Sequence, residues 1–245
     1  MNTPSIYSPK QYLIAWSVHL FTAIGALLGI FTLYEVYHHA FIKAFWLMAA
    51  TIIIDGLDGT LARRAHVKTI LPGFDGALLD NIVDYLNYVV TPCFFFLVMP
   101  NLLPVAYAPW IIGLVSLTSA YQFCQSDAKT PDHFFKGFPC YWNIVLFYMV
   151  VFGTSDVINA SLLIIFSILI FVPIKYVYPS RLDYLTDSKA LKWVMHGLAL
   201  MFAISTIMVL WQYPNFNPLW LNLSLFYIVI YGVASLYRTF RPLPL

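Results

Sequence analysis

Apolar segments of about 20 residues recur along almost the whole chain, and they restrict its fold more than any other feature. Of the 245 residues, 61% are hydrophobic and only 10% are charged, whereas charged residues make up about a quarter of a typical soluble domain. A segment that crosses a bilayer must satisfy its own backbone hydrogen bonds, as an α-helix does. The composition therefore predicts an all-α polytopic membrane protein and excludes a soluble globular domain.

Proline- and glycine-containing breaks divide the apolar sequence into eight predicted membrane helices. We predict them over residues 12–35, 42–63, 76–98, 105–126, 139–154, 157–177, 190–211 and 218–237. We expect residues 1–245 to form a single integral membrane domain. The net charge of +2 gives no indication of a nucleic-acid partner, and the three cysteines have no metal-binding spacing.

The distribution of lysine and arginine predicts the orientation of these helices. With eight crossings and the N-terminus in the cytoplasm, twelve of the thirteen basic residues fall in cytoplasmic segments and only Lys43 lies outside. Cytoplasmic loops of membrane proteins carry such an excess of positive charge. Both termini are therefore predicted to be cytoplasmic.

Five carboxylates, Asp55, Asp58, Asp75, Asp80 and Asp84, lie between apolar segments. Ionisable residues at membrane depth are costly and usually functional. Positions three or four apart share one helix face, so the second and third helices can bring two acidic faces together. Carboxylate oxygens favour Mg²⁺, Mn²⁺ or Ca²⁺ over softer metals, and the pattern predicts a site for Mg²⁺ or Mn²⁺ at the cytoplasmic interface.

Glycine, alanine and arginine residues accompany the acidic residues at fixed spacing. The pattern reads Asp55-x2-Asp58-Gly59-x2-Ala62-Arg63, then twelve residues, then Gly76-x3-Asp80-x3-Asp84. It resembles the signature of the CDP-alcohol phosphotransferases, membrane enzymes that transfer a substituted phosphate from a CDP-linked donor to an alcohol. All eight fixed residues of that signature are present.

The twelve-residue spacer and Gly56 resemble the bacterial phosphatidylcholine synthase branch of this family. Similar features are Thr22 in the first helix, the run 135–139 followed by Trp142, and the run 172–181. The resemblance implies transfer of the phosphatidyl group of CDP-diacylglycerol to choline, with release of CMP. It also implies a bacterial inner membrane location among membrane lipids, an active site facing the cytoplasm, and a homodimer.

The resemblance assigns roles to individual residues. Asp55, Asp58, Asp80 and Asp84 hold the metal, and Asp84 also serves as the general base that takes the proton of the alcohol. Arg63 can pair with a carboxylate or with a phosphate of the donor. The expected CDP-lipid contacts are Thr22, Gly56, Gly59, Ala62, Arg63, Gly76 and Arg181.

The acceptor requires a different kind of site. Choline is a quaternary ammonium, which aromatic faces and a nearby negative charge recognise. The aromatic residues we predict to contact it are Tyr141, Trp142, Tyr178 and Tyr184.

Three alternative functions remain open on the sequence. The same chemistry can act on serine, glycerol phosphate or an inositol compound, although anionic acceptors need basic residues around the pocket. The intramembrane carboxylates could instead line a divalent-cation carrier, which leaves Gly59, Ala62 and Arg63 unexplained. A lipid-binding scaffold without catalysis would tolerate loss of Asp84.

Overall fold

The structure, a computed structural model, describes residues 7–132, 134–178 and 188–241. The chain divides into two units, residues 1–98 and residues 99–245. Each unit is described separately, and the single-domain organisation stays a prediction.

The first unit consists of helices. They are α1 Pro9–Tyr37, α2 Phe41–Arg64, α3 Val67–Ile70, α4 Gly76–Tyr85 and α5 Thr91–Val98, and a π-helical turn, Leu86–Val90, joins α4 to α5. The start of α1 is fixed by a capping box, in which Ser8 and Gln11 satisfy each other's backbone N–H groups. α1 packs against α2 and α4.

Two glycines let α1 approach the third membrane segment closely. A methyl group at Gly25 would lie 2.8 Å from Val83 Cγ1, and one at Gly29 would lie 2.5 Å from Asn87 Oδ1. The buried Asn87 amide also donates a hydrogen bond to the Gly25 carbonyl at 3.1 Å. Small residues allow helix backbones in membranes to pack this tightly. This contact fixes the position of the residues around Val83.

The first residue of α4 packs against α1 in the same way. A methyl group at Gly76 would lie 2.6 Å from His19 Cε1. The His19 ring is buried and packs on Phe74 with a centroid distance of 4.3 Å. Gly76 contacts His19, and later on both helices Val83 contacts Gly25. Because the two contacts occur in the same order along α1 and α4, the two helices run in the same direction.

The second unit combines helices with a short β-ribbon. Its elements are α6 Ala108–Cys124, β1 Phe134–Lys136, α7 Trp142–Phe152, α8 Asp156–Leu169, β2 Lys175–Val177, α9 Lys189–Gln212 and α10 Pro218–Phe240. The strands pair antiparallel, with Phe135 opposite Tyr176. Phe134 and Val177 on one face of the ribbon are buried against Met195 of α9.

Helix α10 takes the place of a third strand beside β2. Ser235 Oγ accepts a hydrogen bond from the Val177 N–H at 3.1 Å, and Thr239 Oγ1 accepts one from the Lys175 N–H at 2.8 Å. The Tyr231 hydroxyl donates to the Val177 carbonyl at 3.1 Å. Positions 231, 235 and 239 share one helix face, so this face of α10 satisfies backbone groups that an exposed strand edge would leave unpaired.

Helical segments occur in all eight predicted regions, but the prediction over 157–177 was wrong at its C-terminal end. α8 ends at Leu169, and Lys175–Val177 forms a strand. Hydropathy alone did not distinguish this short apolar segment from a helix, because its strand partner lies about forty residues earlier in the chain.

Four of the described helices are long and apolar enough to cross a membrane: Pro9–Tyr37, Gly76–Val98, Lys189–Gln212 and Pro218–Phe240. α2 is also long, at 24 residues, but it carries five charged residues, and α6, α7 and α8 have 17 residues or fewer. The protein is thus a helical membrane protein, while the count of eight crossings and the orientation stay predictions.

Replacing the two hydroxyl residues that hold β2 should destabilise the protein. In the double variant Ser235→Ala, Thr239→Val, two strand N–H groups lose their acceptors, which we expect to cost about 1–3 kcal/mol each. Thermal unfolding of detergent-purified protein measures the loss. Ser161→Ala removes a hydroxyl that bonds only within its own exposed helix turn and serves as the control. Equal melting temperatures for both variants would contradict the role given to α10.

Gly29→Ala should destabilise the protein, whereas Gly113→Ala should not. The added methyl at Gly29 meets Asn87 and Leu86 within 3 Å, whereas nothing lies within 4 Å at Gly113. We expect Gly29→Ala to destabilise by about 1–3 kcal/mol through overpacking. Gly113→Ala should be neutral or stabilise by up to about 1 kcal/mol through helix propensity. The same melting experiment tests both, and a stabilised Gly29→Ala protein would exclude the close contact.

Candidate metal and substrate site

Three carboxylates from two helices converge in the first unit. Asp55 of α2 and Asp80 and Asp84 of α4 each place one oxygen so that all three atoms lie within 4.8 Å of one another. Oxygens on opposite sides of one bound cation are about 4.2 Å apart for Mg²⁺ and about 5 Å for Ca²⁺. The three side chains therefore fit the ligand shell of one divalent cation without a large movement.

The sequence places these three residues where they can meet. Asp80 and Asp84 are four residues apart, so they lie on one face of α4, and all three are half-buried. Like charges held this close in a partly desolvated place repel each other strongly. A cation bound between them would offset that repulsion.

Asp58, the fourth predicted metal ligand, is not part of this group of three. It lies one helical turn after Asp55 on α2 and is buried, with 5% of its surface exposed. Asp75, the remaining acidic residue of the stretch, caps α4 by accepting a hydrogen bond from the Leu78 N–H at 3.0 Å. Its role is therefore to start the helix that carries Asp80 and Asp84.

Tyr88, to which the sequence analysis gave no role, contacts the acidic cluster. Its hydroxyl donates a 2.7 Å hydrogen bond to Asp55 Oδ2, which orients a carboxylate of the cluster. Tyr88 lies in the π-helical turn that follows α4, and such turns are frequent at functional sites. The four-residue spacing of Gly76, Asp80 and Asp84 continues to Tyr88, and that continuation was the available signal.

The residues of α2 that are predicted to contact the CDP-lipid have different surroundings. Gly56 is exposed, and a methyl group built there meets nothing within 4 Å. Gly59 lies beside Arg63, whose guanidinium donates to Thr60 Oγ1 at 2.9 Å. Ala62 packs against a small core of α1 and α3 residues. Gly56 thus leaves open space, whereas Ala62 serves helix packing.

The two remaining predicted CDP-lipid contacts of the first unit lie on the sides of α1 and α4 that face each other. Thr22 is buried, and its hydroxyl donates within its own helix to the Val18 carbonyl at 3.4 Å. Gly76 contacts His19, one turn before Thr22. The buried His19 Nε2 has no hydrogen-bond partner among the described residues.

The predicted choline contacts belong to the second unit, and only some can be described. Arg181, the last donor contact, and Tyr184 lie outside the described residues. Trp142 is fully buried, and its indole N–H donates to Ser119 Oγ at 2.8 Å. Tyr141 and Tyr178 are half-buried and both contact Phe135. Phe135 was not among the predicted residues.

A cavity of about 100 Å³ lies near the β-ribbon in the second unit. Its lining combines aromatic, amide and charged side chains, among them Tyr121, Gln122, Gln125, Asp127, Lys136 and Phe171. Lys136 forms an ion pair with Asp127 at 2.5 Å, and the hydrogen bond and charge of Lys136 lower the pKa of Asp127. Both side chains are exposed, so the pair adds little to stability.

A second ion pair, Lys175 with Asp132 at 2.5 Å, is less accessible to solvent. Burial raises the pKa of Asp132, but hydrogen bonds from Lys175 and Thr130 and the lysine charge outweigh it, so that the pKa falls below its usual value. The carboxylate therefore stays charged at neutral pH. The two ion pairs show that the loop residues beside the ribbon hold lysine ammonium groups at defined positions.

The chain is similar to known proteins along most of its length. Residues 17–205 match the family described as CDP-alcohol phosphatidyltransferase. The phosphatidylcholine synthase of Legionella pneumophila subsp. pneumophila is 57% identical over 237 residues, which cover 97% of this chain and 93% of that protein. The phosphatidylcholine synthase of Legionella bozemanae is 60% identical over 217 residues, 89% of this chain and 100% of that protein.

A more distant relative has the same name. The phosphatidylcholine synthase of Borreliella burgdorferi is 39% identical over 169 residues, covering 69% of this chain and 72% of that protein. The family match over residues 17–205 contains the acidic motif, and the structure brings three of its carboxylates together. The chain belongs to the CDP-alcohol phosphatidyltransferase family.

Proposed function

We propose that this protein is a phosphatidylcholine synthase, which transfers the phosphatidyl group of CDP-diacylglycerol to choline and releases CMP. The observation that carries the proposal is the convergence of Asp55, Asp80 and Asp84 within a chain that belongs to this family. The names and identities of its relatives support choline as the acceptor. A divalent cation is the expected cofactor, with Mg²⁺ or Mn²⁺ proposed.

Asp55, Asp80 and Asp84 are proposed to hold the cation, and Asp58 to contribute from its buried position on α2. When bound, the cation neutralises charge on the diphosphate and stabilises the leaving phosphate. Tyr88 keeps Asp55 oriented through its hydrogen bond. The residues of the chain thus provide an acidic site that accepts a negatively charged donor only when it carries a metal.

Asp84 is proposed as the general base. A carboxylate has two oxygens, so one can face the cation while the other accepts the proton of the choline hydroxyl. The choline oxygen then bonds to the phosphorus that carries diacylglycerol, and the bond from that phosphorus to the CMP oxygen breaks. The proton resides on Asp84, and the electron pair leaves with CMP.

The nucleotide end of the donor is proposed to lie along α2, where Gly56 leaves open space. Gly59, Arg63, Thr22 and Gly76 are proposed to contribute around it, and Ala62 to hold the neighbouring helices together. Arg63 can reach a phosphate if it gives up its bond to Thr60. Arg181 is retained as a proposed diphosphate contact on the basis of the sequence.

Tyr141 and Tyr178 are proposed to contact choline, since both are half-buried aromatic residues outside the helices. Trp142 and Tyr184 stay in the proposal from the sequence, with Trp142 supporting the site from the buried core. A topology of eight crossings with both termini and the active site on the cytoplasmic side of a bacterial inner membrane is proposed from the charge distribution. A homodimer is proposed from the family resemblance.

An acceptor panel tests the function. We expect the purified protein, with CDP-diacylglycerol and Mn²⁺ or Mg²⁺, to incorporate radioactive choline into lipid and to release one CMP for each choline. Chelation should abolish the reaction, and either metal should restore it, because the carboxylates need a cation to accept the donor. Incorporation of serine, glycerol phosphate or inositol but not choline would reject choline as the acceptor. Metal flux in liposomes without any lipid product would support a carrier instead.

Asp84→Asn should lower kcat for choline transfer by about 10²–10⁴-fold, since an amide cannot take the proton. Asp75→Asn is the matched control, because it changes the same residue type in the same stretch and asparagine caps helices as well as aspartate does. Initial rates at saturating substrate measure both variants, and their melting temperatures check folding. A fully active Asp84→Asn protein would rule out Asp84 as the general base.

A further inference from the structure

The cavity of about 100 Å³ in the second unit lies where α6 and α8 end. Tyr121 and Gln122 line it from the last turn of α6, and Ile170 and Phe171 line it from the residues that follow α8. A volume of this size holds several water molecules, so a compact organic group can also occupy it. The function proposed above uses none of these four residues.

Hydrogen bonds hold the walls of the cavity in place. Gln122 is buried, and its Nε2 donates to the Lys136 carbonyl at 2.7 Å. The Lys136 N–H donates to the Ala128 carbonyl at 2.9 Å. These bonds join the end of α6, the loop that follows it and strand β1, so the open space is part of the folded protein.

Two opposite charges lie side by side on the wall of the cavity. Asp127 and Lys136 both line it, and their ion pair is 2.5 Å long. The hydrogen bond and charge of Asp127 raise the pKa of Lys136, just as Lys136 lowers the pKa of Asp127, so both groups stay charged at neutral pH. Because an exposed ion pair contributes little to stability, a ligand that carries both charges can separate the two side chains at small cost.

Two aromatic rings form another part of the wall. The ring centroids of Tyr121 and Phe171 are 4.9 Å apart at an interplanar angle of 39°, and both side chains are exposed. Aromatic faces attract cations, including quaternary ammonium groups that have no N–H donors. The cavity thus combines an aromatic wall and a carboxylate, which suit an organic cation, with an ammonium group, which suits an anion.

Exposed apolar side chains lead away from the cavity along both helices. On α6 they are Leu114, Leu117 and Tyr121, whose spacing of three or four residues places them on one helix face. On α8 Ile168 is exposed, and the exposed Phe171 follows three residues later. Because Tyr121 and Phe171 contact each other, the two apolar rows meet at the cavity. Apolar helix faces that the protein leaves uncovered in a bilayer contact acyl chains.

We infer that this cavity binds the headgroup of phosphatidylcholine, with the acyl chains along the apolar faces of α6 and α8. The trimethylammonium group lies against Tyr121 and Phe171 beside the Asp127 carboxylate, and the phosphate contacts the Lys136 ammonium. The zwitterion gives each member of the ion pair a new partner of opposite charge. The choice of this lipid rests on the aromatic wall, which suits a cation without N–H groups, and on the proposed function, which makes the lipid the product.

Binding of radioactive dioleoylphosphatidylcholine to the detergent-purified, delipidated full-length protein tests the site. Asp127→Asn and Lys136→Met should each lower the affinity by about two- to fivefold, as expected for contacts of exposed charges. Tyr121→Leu should lower it by a similar factor through loss of the aromatic face. Asp156→Asn is the matched control, because it removes the same charge at the opposite end of α8, and it should bind the lipid as the unmodified protein does.

A charge exchange separates lipid recognition from a structural role of the ion pair. The double variant Asp127→Lys, Lys136→Asp can form the pair again, so its melting temperature should equal that of the unmodified protein. Its lipid affinity should fall by about tenfold or more, because each charge of the headgroup now meets a like charge. Unchanged affinity in this variant would overturn the inference, as would equal binding by all the variants, which indicates lipid bound elsewhere on the apolar surface.

A panel of lipids with the same acyl chains tests the headgroup. Phosphatidylglycerol and phosphatidylethanolamine should compete weakly, since the first lacks a cation and the second carries N–H groups that water solvates well. Equal competition by phosphatidylglycerol would indicate an anion site, and equal competition by phosphatidylethanolamine would reject the choline headgroup. Because binding is measured without donor or metal, a protein that binds the lipid but transfers no choline would reject the proposed function alone. An active protein that binds no phosphatidylcholine would reject this inference alone.

Discussion

Repulsion among three carboxylates is the constraint on which the first unit of this protein depends. Asp55, Asp80 and Asp84 bring their oxygens within 4.8 Å of one another between apolar helices, where the effective dielectric constant is low and like charges interact strongly. Firmly held helices can keep such a cluster together, and a cation bound between the carboxylates would offset their repulsion. In the proposed function, this repulsion makes a bound cation a condition for taking up the negatively charged donor.

α1 packs closely against α4 and the following π-helical turn, and this packing holds the segment that carries Asp80 and Asp84 in place. Gly25 and Gly29 admit Val83 and Asn87 at distances that any side chain would prevent, and Gly76 admits the buried His19 ring. These contacts occur before and after Asp80 and Asp84 on the same segment. The acidic residues are thus positioned by small residues at the contact between α1 and the segment that carries Asp80 and Asp84.

The second unit uses a different means of ordering its loops. A two-stranded ribbon is only marginally stable by itself, and here one face is buried on α9 while its open edge is satisfied by side chains of α10. The sequence features that resemble the family lie largely before these two helices. Its hydroxyl groups hold in place the strand that leads to Tyr178.

The sequence by itself determined the membrane class, the helical regions and the acidic face of α4. Each of these follows from local periodicity: apolar runs of about 20 residues and a four-residue spacing of Gly76, Asp80 and Asp84 require no knowledge of distant residues. Family membership likewise followed from spacing along one stretch. The same four-residue spacing continues to Tyr88.

Only the tertiary structure decided which side chains meet. It grouped Asp55 with Asp80 and Asp84 and left Asp58 outside that group, because the rotation of α2 about its axis is set by packing and not by its sequence pattern. It also turned residues 175–177 into a strand, since pairing with a segment about forty residues away outweighed the apolar run that resembled a helix. Contacts between residues distant in the sequence are the information that local patterns lack.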